Sequence, residues 1–301
     1  MGTLYLVTTP IGNLEDLSPR AARILGEVET VLAEDTRRTG ILLRHLGLST
    51  PLLSLHAHNE EGRGDEVLHR LRSGAALALV SDAGTPLVSD PGERLVRRAL
   101  DEGQEVVPIP GPSAILHALV GSGLPPVPFT FLGFLPRKGK ERDEALDRVA
   151  LSRETVVFFE SPERTARTLA DLEGRCGAGR RAAVARELTK LHEEFRRGTL
   201  EELAGSYATS EDPKGEVTLV VAPAEGDGVS QRVDEEAGRV LAEALLRSGS
   251  SPSRAAHDLS RRLGISRNRA YALVQELVGE GVSTGAPVAP HSGLEAESDS
   301  D

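Results

Sequence analysis

Cysteine is almost missing from this chain: Cys176 is the only one in 301 residues. One cysteine excludes an internal disulfide and suits a reducing compartment. No apolar run is long enough to span a bilayer. The first residues, Met1-Gly2-Thr3-Leu4-Tyr5-Leu6-Val7, lack the basic n-region of a secretory signal and read as a strand. The expectation is a soluble, cytoplasmic protein. Neither a GxGxxG nor a P-loop follows that first strand, so nothing supports NAD or ATP. Lysine is scarce as well, with Lys138, Lys140, Lys190 and Lys214 the only four. The net charge of -11 argues against wholesale nucleic-acid binding, although a local basic patch is what binds phosphates. A hydrophobic content of 39% is enough for a core, and the length suits two domains or three.

What is present is an alternation of short apolar runs and helical spacings. Residues 4–8, 28–33, 51–56, 75–80 and 105–108 read as strands, with helices between them. Repeated βα units predict a parallel sheet. Ser18 followed by Pro19 is an N-cap and first-turn pair. Asp35, at a strand end, is either a site group or the cap of the next helix, and the residues leave both open. His56 and His58 would share one face of a strand, but no third ligand is evident, so no metal is expected. The stretch from Ser81 to Gly92 organises this half. It lies between a buried strand and a helix, and its twelve residues exceed the 2–6 that a βα connection needs. Asp82, Thr85, Ser89 and Asp90 give it polar chemistry where an α/β sheet binds ligands. Pro110-Gly111-Pro112-Ser113-Ala114 makes a second such turn.

After Leu124-Pro125-Pro126 the pattern becomes less regular. Strands are expected at 129–135, 155–159, 181–186 and 216–222, in a mixed sheet. Ser161 and Pro162 start a helix. Arg137, Lys138 and Lys140 form a basic loop, either a solvated turn or a phosphate contact. Residues 223–231 read as a linker. Helices at 233–246, 253–263 and 266–277, the last two joined by a turn at Gly264, resemble a helix-turn-helix bundle. Arg254, Arg261, Arg262, Arg267 and Arg269 suit contact with nucleic acid within a larger footprint. Residues 282–301 lack periodicity and are expected to be disordered. The expected domains are 1–123, 124–223 and 232–281, followed by that tail.

Six stretches, taken in order, carry a resemblance. They are Thr8 to Asp16, Ala33 to Arg37, His56 to Glu60, Ser81 to Gly92, Pro108 to Ala114 and Phe159 to Arg164. Together they resemble the class III, or tetrapyrrole-methylase, superfamily of S-adenosylmethionine-dependent methyltransferases. The similarity covers roughly Gly2 to Pro223, and the C-terminal helices resemble an appended domain. Porphyrinoid enzymes carry glycine-proline-glycine-aspartate in the first loop, where this chain has Pro10-Ile11-Gly12-Asn13. Their glycine-aspartate-proline loop is here Asp82-Ala83-Gly84-Thr85-Pro86. Both departures point to the RNA branch.

The resemblance implies two α/β domains of the class III methyltransferase fold, a cofactor in the cleft between them, and a homodimer. It implies 2′-O-methylation of a cytidine in the decoding region of small-subunit (16S) ribosomal RNA. The cofactor loops map onto Pro10, onto Asp82, Ala83, Gly84, Thr85 and Val88, and onto Ser113 and Ala114. The second domain would close the pocket near Phe159, Glu187 and Ala222.

A ribose hydroxyl is a poor nucleophile, so a base or polarising group helps. Candidates are Asp35, Asp82, Glu160 and Glu187, with Arg37, Arg137, Lys138, Lys140 and Arg164 toward the substrate. Glu160 is preferred because it ends a buried strand facing the presumed cleft. The competing reading is that it only caps the following helix. Two other functions stay open: a porphyrinoid methylase and a ligand sensor with a DNA-binding output. The basic loop and the C-terminal arginines favour RNA over a porphyrinoid.

Overall fold

The computed structural model describes residues 2–56, 59–209, 214–224, 228–263 and 267–279. The chain divides into two compact units, one ending at Ala224 and the other beginning at Glu225.

The first unit holds two five-stranded sheets. The first sheet consists of β1 (Thr3–Val7), β2 (Thr30–Ala33), β3 (Leu52–Ser54), β4 (Ala76–Val80) and β5 (Glu105–Ile109), in the order β3-β2-β4-β1-β5. All four pairings are parallel. Parallel neighbours need crossovers, supplied by α1 (Pro19–Glu27), α2 (Thr36–His45), α3 (Glu60–Arg72) and α4 (Glu93–Asp101). Covering both faces leaves no polar side to the strands. Val31, Ala33, Ala78 and Val80 join Ile24, Leu25 and Leu43 in one core. Leu32, Leu77 and Leu79, one residue out of phase, join Val67, Leu68, Leu71 and Leu95 in another.

The second sheet consists of β6 (Phe129–Phe134), β7 (Thr155–Glu160), β8 (Arg181–Arg186), β9 (Glu194–Thr199) and β10 (Val217–Val221), in the order β6-β7-β10-β8-β9. It is mixed: β6 and β7 run parallel, and the other pairings are antiparallel. One face buries Phe158 and Leu219 against side chains from α6 (Lys140–Leu151), α7 (Pro162–Cys176) and α8 (Leu200–Ala208), among them Leu146, Leu169 and Leu203. The other face, with Val157, Ala183 and Val220, is covered by Ala118 and Leu119 of α5 (Ala114–Ser122) and by Ile11. The helix that leaves the last strand of the first sheet therefore lies on the second sheet. Arg197 in β9 secures it, donating to the Gly121 carbonyl at 2.8 and 2.6 Å.

Several elements depart from the sequence reading. It contained no strand at Glu194–Thr199 and no helix at Leu200–Ala208. The strand is a sheet edge rich in charge, and β8 pairs with it along its whole length. The helix opens on a capping box of Thr199 and Glu202, a signal present in the sequence. Ser161 and Pro162 start α7 as expected, with Ser161 at the N-cap, though its hydroxyl accepts from Arg164 Nε at 3.0 Å rather than from the helix backbone.

The second unit comprises α9 (Gly228–Arg247), α10 (Pro252–Leu263) and α11 (Arg267–Gly279), with its own core of Leu246, Leu259, Leu273 and Val274. Its first helix begins inside the stretch read as a linker. The turn at Gly264, His58, and the tail at 282–301 lie outside the described residues. Among the described residues no helix is long and apolar enough to cross a membrane.

Candidate active site

The loops after β1, β2, β4 and β5 gather at the carboxyl edge of the first sheet, where open α/β sheets bind ligands. Two of them are stitched together. Thr9 and Gly84 exchange backbone hydrogen bonds of 2.9 and 3.1 Å. The Thr9 hydroxyl donates to the Ser81 carbonyl at 3.2 Å, and the Thr8 and Thr85 hydroxyls lie 3.3 Å apart.

The loop after β4 carries unusual backbone strain. Leu87 and Ser89 adopt left-handed conformations with φ of 71° and 69°. Non-glycine residues accept such geometry only where their surroundings impose it, commonly at functional sites. Gly92, with φ of 116°, has no alternative: a Cβ there would lie 2.6 Å from Leu79 Cδ2.

A cavity of about 370 Å³ opens between this edge and the second sheet. Asp82, Ala83, Gly84, Thr85 and Val88 form one wall. Ser113, capping α5 through its hydroxyl, and Ala114 form another. From the second sheet come Phe134 and Phe159, with ring centroids 5.3 Å apart, then Glu160 and residues 215–218. Two of the expected cofactor residues, Pro10 and Ala222, do not line it. Ile11 does so in place of Pro10, while Ala222 is occupied in pairing with Arg180 and Arg181. Ser89 and Asp90, singled out with the loop after β4, line it as well, and so does Arg38, which was not put forward.

The carboxylates differ sharply in their surroundings. Asp35 caps α2 and is gripped at two oxygens by Arg37, at 3.1 and 2.8 Å. The Arg37 side-chain hydrogen bonds draw its carboxyl down to about 2. Asp82 accepts from the Asp35 N–H at 3.0 Å and stands 3.6 Å from Arg38. Glu187 has a left-handed backbone, φ 51°, and does not line the cavity. Burial, the largest single influence, pushes its carboxyl up. The Lys190 ammonium 2.7 Å away and the Glu216 N–H outweigh burial and hold it below the ordinary value. Glu160 is buried, with both oxygens hydrogen-bonded.

Asp90 is the contrasting case. It is half-buried and lines the cavity, and burial, with Glu34 adding repulsion, pushes its carboxyl up to about 6. Glu34 is itself raised, first by burial and then by Asp82.

The cations expected to meet the substrate are spread out. Arg37 and Lys138 are exposed, Lys140 pairs with Glu144 at 3.3 Å, and Arg164 turns inward to Glu160. Among the described residues no cluster of histidine, cysteine and carboxylate side chains could hold a metal.

A parallel sheet and a mixed sheet enclosing one cleft, with no nucleotide-phosphate loop, define a class III methyltransferase architecture. A model of the Tetrapyrrole (Corrin/Porphyrin) Methylases matches residues 3–204, and the chain belongs to that family. Within it, the chain is 44% identical over 281 residues to a Synechocystis protein named ribosomal RNA small subunit methyltransferase I, covering 93% of this chain and 100% of the relative. It is 48% identical over 271 residues to the Xylella fastidiosa protein of the same name, covering 90% and 98%. Solved structures share the fold at lower identity. Uroporphyrin-III-C-methyltransferase from Thermus thermophilus superposes with a TM-score of 0.53 at 22% identity, over 74% of this chain and 94% of that one. A cobalt precorrin-4 methyltransferase does so with a TM-score of 0.56 at 17% identity, over 73% and 94%.

Proposed function

We propose that the protein uses S-adenosylmethionine to methylate the ribose 2′-hydroxyl of a cytidine in the decoding region of small-subunit ribosomal RNA. The observation that carries this reading is near-full-length similarity, at 44% and 48% identity, to the two proteins named for that ribosomal substrate. The porphyrinoid enzymes share only the fold, at 22% identity or below.

The cavity suits this cofactor on its own chemistry. Its volume of about 370 Å³ falls in the range of about 300–1,000 Å³ typical of small-molecule sites. Gly84, with φ of 81°, keeps one wall to bare backbone beside Ile11, so a flat group can approach closely. Phe134 and Phe159 offer aromatic faces. Glu160 and Glu216 are paired with Arg164 and Lys190, which leaves Asp82 and Asp90 in the lining against the guanidinium of Arg38, a balance that favours a cation. When bound, S-adenosylmethionine supplies a methyl group made electrophilic by its sulfonium.

The chain's own residues contribute position and a proton acceptor. Alignment of nucleophile and methyl group provides most of the rate in such a displacement. Asp90 is the base this geometry favours. Its carboxyl lines the cavity and titrates near 6, so at neutral pH it is ionised and still basic enough to take a hydroxyl proton. Asp35, held near 2, is too weak a base, and Glu187 lies off the cavity.

Arg37, Arg137 and Lys138 are exposed cations suited to ribosomal RNA phosphates. Arg254 and Arg262, exposed on α10, are further cations suited to phosphates. A second copy of the chain suits the apolar side chains left exposed at Leu116, Val120 and Val127. An enzyme of this kind works in the cytoplasm, beside assembling ribosomes.

Incubation with methyl-labelled S-adenosylmethionine and small subunits from a strain lacking this gene tests the reading. Label mapped by nuclease digestion and mass spectrometry is expected on a cytidine ribose. Label only on a porphyrinoid, or none despite cofactor binding, refutes it.

A further inference from the structure

Glu160 ends β7 at the floor of the cavity and is 2% exposed. Oε1 accepts from the Ser161 N–H at 2.7 Å and lies 2.5 Å from Arg164 Nη2. Oε2 accepts from the Thr168 hydroxyl at 2.7 Å. That hydroxyl accepts in turn from Arg142 Nη2 at 3.0 Å, and the same Nη2 reaches Asp171 at 2.8 Å. Arg142 is only 4% exposed, a depth at which a guanidinium is stable only when paired. Two carboxylates, the guanidiniums of Arg142 and Arg164 and one hydroxyl thus form a connected network in which Glu160, Thr168 and Arg142 are buried, and Arg167 Nε stands 3.8 Å from the same Asp171 oxygen at its outer end.

Both arginines also reach out of this network in one direction. Arg164 Nη1 donates to the Leu135 carbonyl at 3.2 Å, and Arg142 Nη1 donates to the Pro136 carbonyl at 3.2 Å. These consecutive carbonyls are one foot of the loop that carries Arg137 and Lys138. The other foot is Gly139, with φ of 80°, whose carbonyl accepts from the Arg142 N–H at 3.0 Å. The apex is therefore held at both ends, and both of its cations are exposed. Phe134, just before the loop, lines the cavity.

We infer that Glu160, Thr168, Arg142 and Arg164 form a positioning clamp that presents the Arg137–Lys138 loop to a polyanionic substrate at the mouth of the cavity. The inference rests on reading the substrate as RNA. Within it Glu160 is a positioning residue. Its lone pairs are engaged by Ser161, Arg164 and Thr168, and it acts on the substrate through the loop rather than on the reacting hydroxyl.

Thr168→Val keeps the side-chain shape and deletes the hydroxyl that joins Glu160 to Arg142. In the full-length protein, trypsin cleavage after Arg137 and Lys138 should accelerate about tenfold through local opening, with the thermal transition little changed. KM for small subunits should rise about tenfold, while kcat and the S-adenosylmethionine Kd stay within about twofold. Thr168→Ser should restore both. Asp171→Asn, outside the cavity, loosens Arg142 and serves if Thr168→Val is not tolerated; it should shift KM the same way and leave kcat nearly intact. The clamp is refuted if loop cleavage and KM are unchanged. It is equally refuted if kcat and cofactor affinity fall along with the rise in KM, or if Glu160→Gln removes kcat while the loop stays protected. Faster cleavage in a protein whose wild type methylates no RNA would support the clamp and overturn the substrate reading.

Discussion

Replacing Asp90 with asparagine should strengthen the fold at neutral pH and remove turnover. The carboxyl moves from 3.8 to about 6 on folding, because burial and the nearby Glu34 disfavour its charge. At about 1.4 kcal/mol per pKa unit the shift corresponds to an upper value of about 3 kcal/mol. Asp90 is only half-buried, so solvent screening reduces this to roughly 1 kcal/mol. The folded value lies above the unfolded one. The carboxyl therefore favours the folded chain below about pH 4 and loses that contribution as the pH rises through about 6. Asparagine is neutral throughout, so its advantage should be near zero at about pH 4 and complete above about pH 7. Thermal melts should show a gain of about 2–5 °C at the higher pH. In the same preparation kcat should fall by a factor of about 10²–10⁴, the usual contribution of a general base. In the wild type kcat should decline as the pH falls below about 6, where the carboxyl protonates. A gain in stability that does not depend on pH, or a variant less stable at about pH 8, refutes the burial argument. Unchanged turnover refutes the assignment of the base.

Other consequences follow from the same geometry. Gly84→Val should weaken S-adenosylmethionine binding by at least about tenfold in calorimetry, because φ of 81° and contact with Ile11 leave no place for a branched side chain. Arg137→Ala with Lys138→Ala should weaken subunit binding and flatten its salt dependence, reducing the log–log slope by roughly 1–2, without altering cofactor affinity. Arg254→Ala with Arg262→Ala, exposed on α10, should lower RNA affinity in filter binding and leave the melting of the first unit unchanged, since that unit has separate cores. Equal loss of cofactor binding in either double variant would contradict this division of roles.

Much of the architecture was legible in the residues. Each strand of the first sheet is apolar in both phases, which is what burial on two faces requires, and each is followed by a helical spacing. The loop from Ser81 to Gly92 stood out because it is longer than a connection needs and mixes glycine, proline and carboxylates. Ser18-Pro19 and Ser113 announced their helices through local hydrogen bonding, which depends on a few neighbouring residues. β9 was hidden because an edge strand can be charged on its exposed face and draws its stability from β8, whose partners lie eight residues away at the closest pair and eighteen at the farthest.

Apart from β9, the sequence by itself determined the strands of the two sheets, their order along the chain and the family, and it singled out the Ser81–Gly92 loop, because these follow from local periodicity and contiguous motifs. Tertiary structure alone decided what each carboxylate can do. Asp35, Asp90, Glu160 and Glu187 are chemically alike as letters; three sit at or just after strand ends and Asp90 lies in the long loop after β4. Folding placed Arg37 on the first, burial and Glu34 against the second, a hydrogen-bonded network around the third and Lys190 against the fourth. A carboxyl's proton affinity depends on its desolvation and on charges within a few ångströms. Those neighbours come from residues distant in the chain as well as near, so the roles emerge only once the chain is folded.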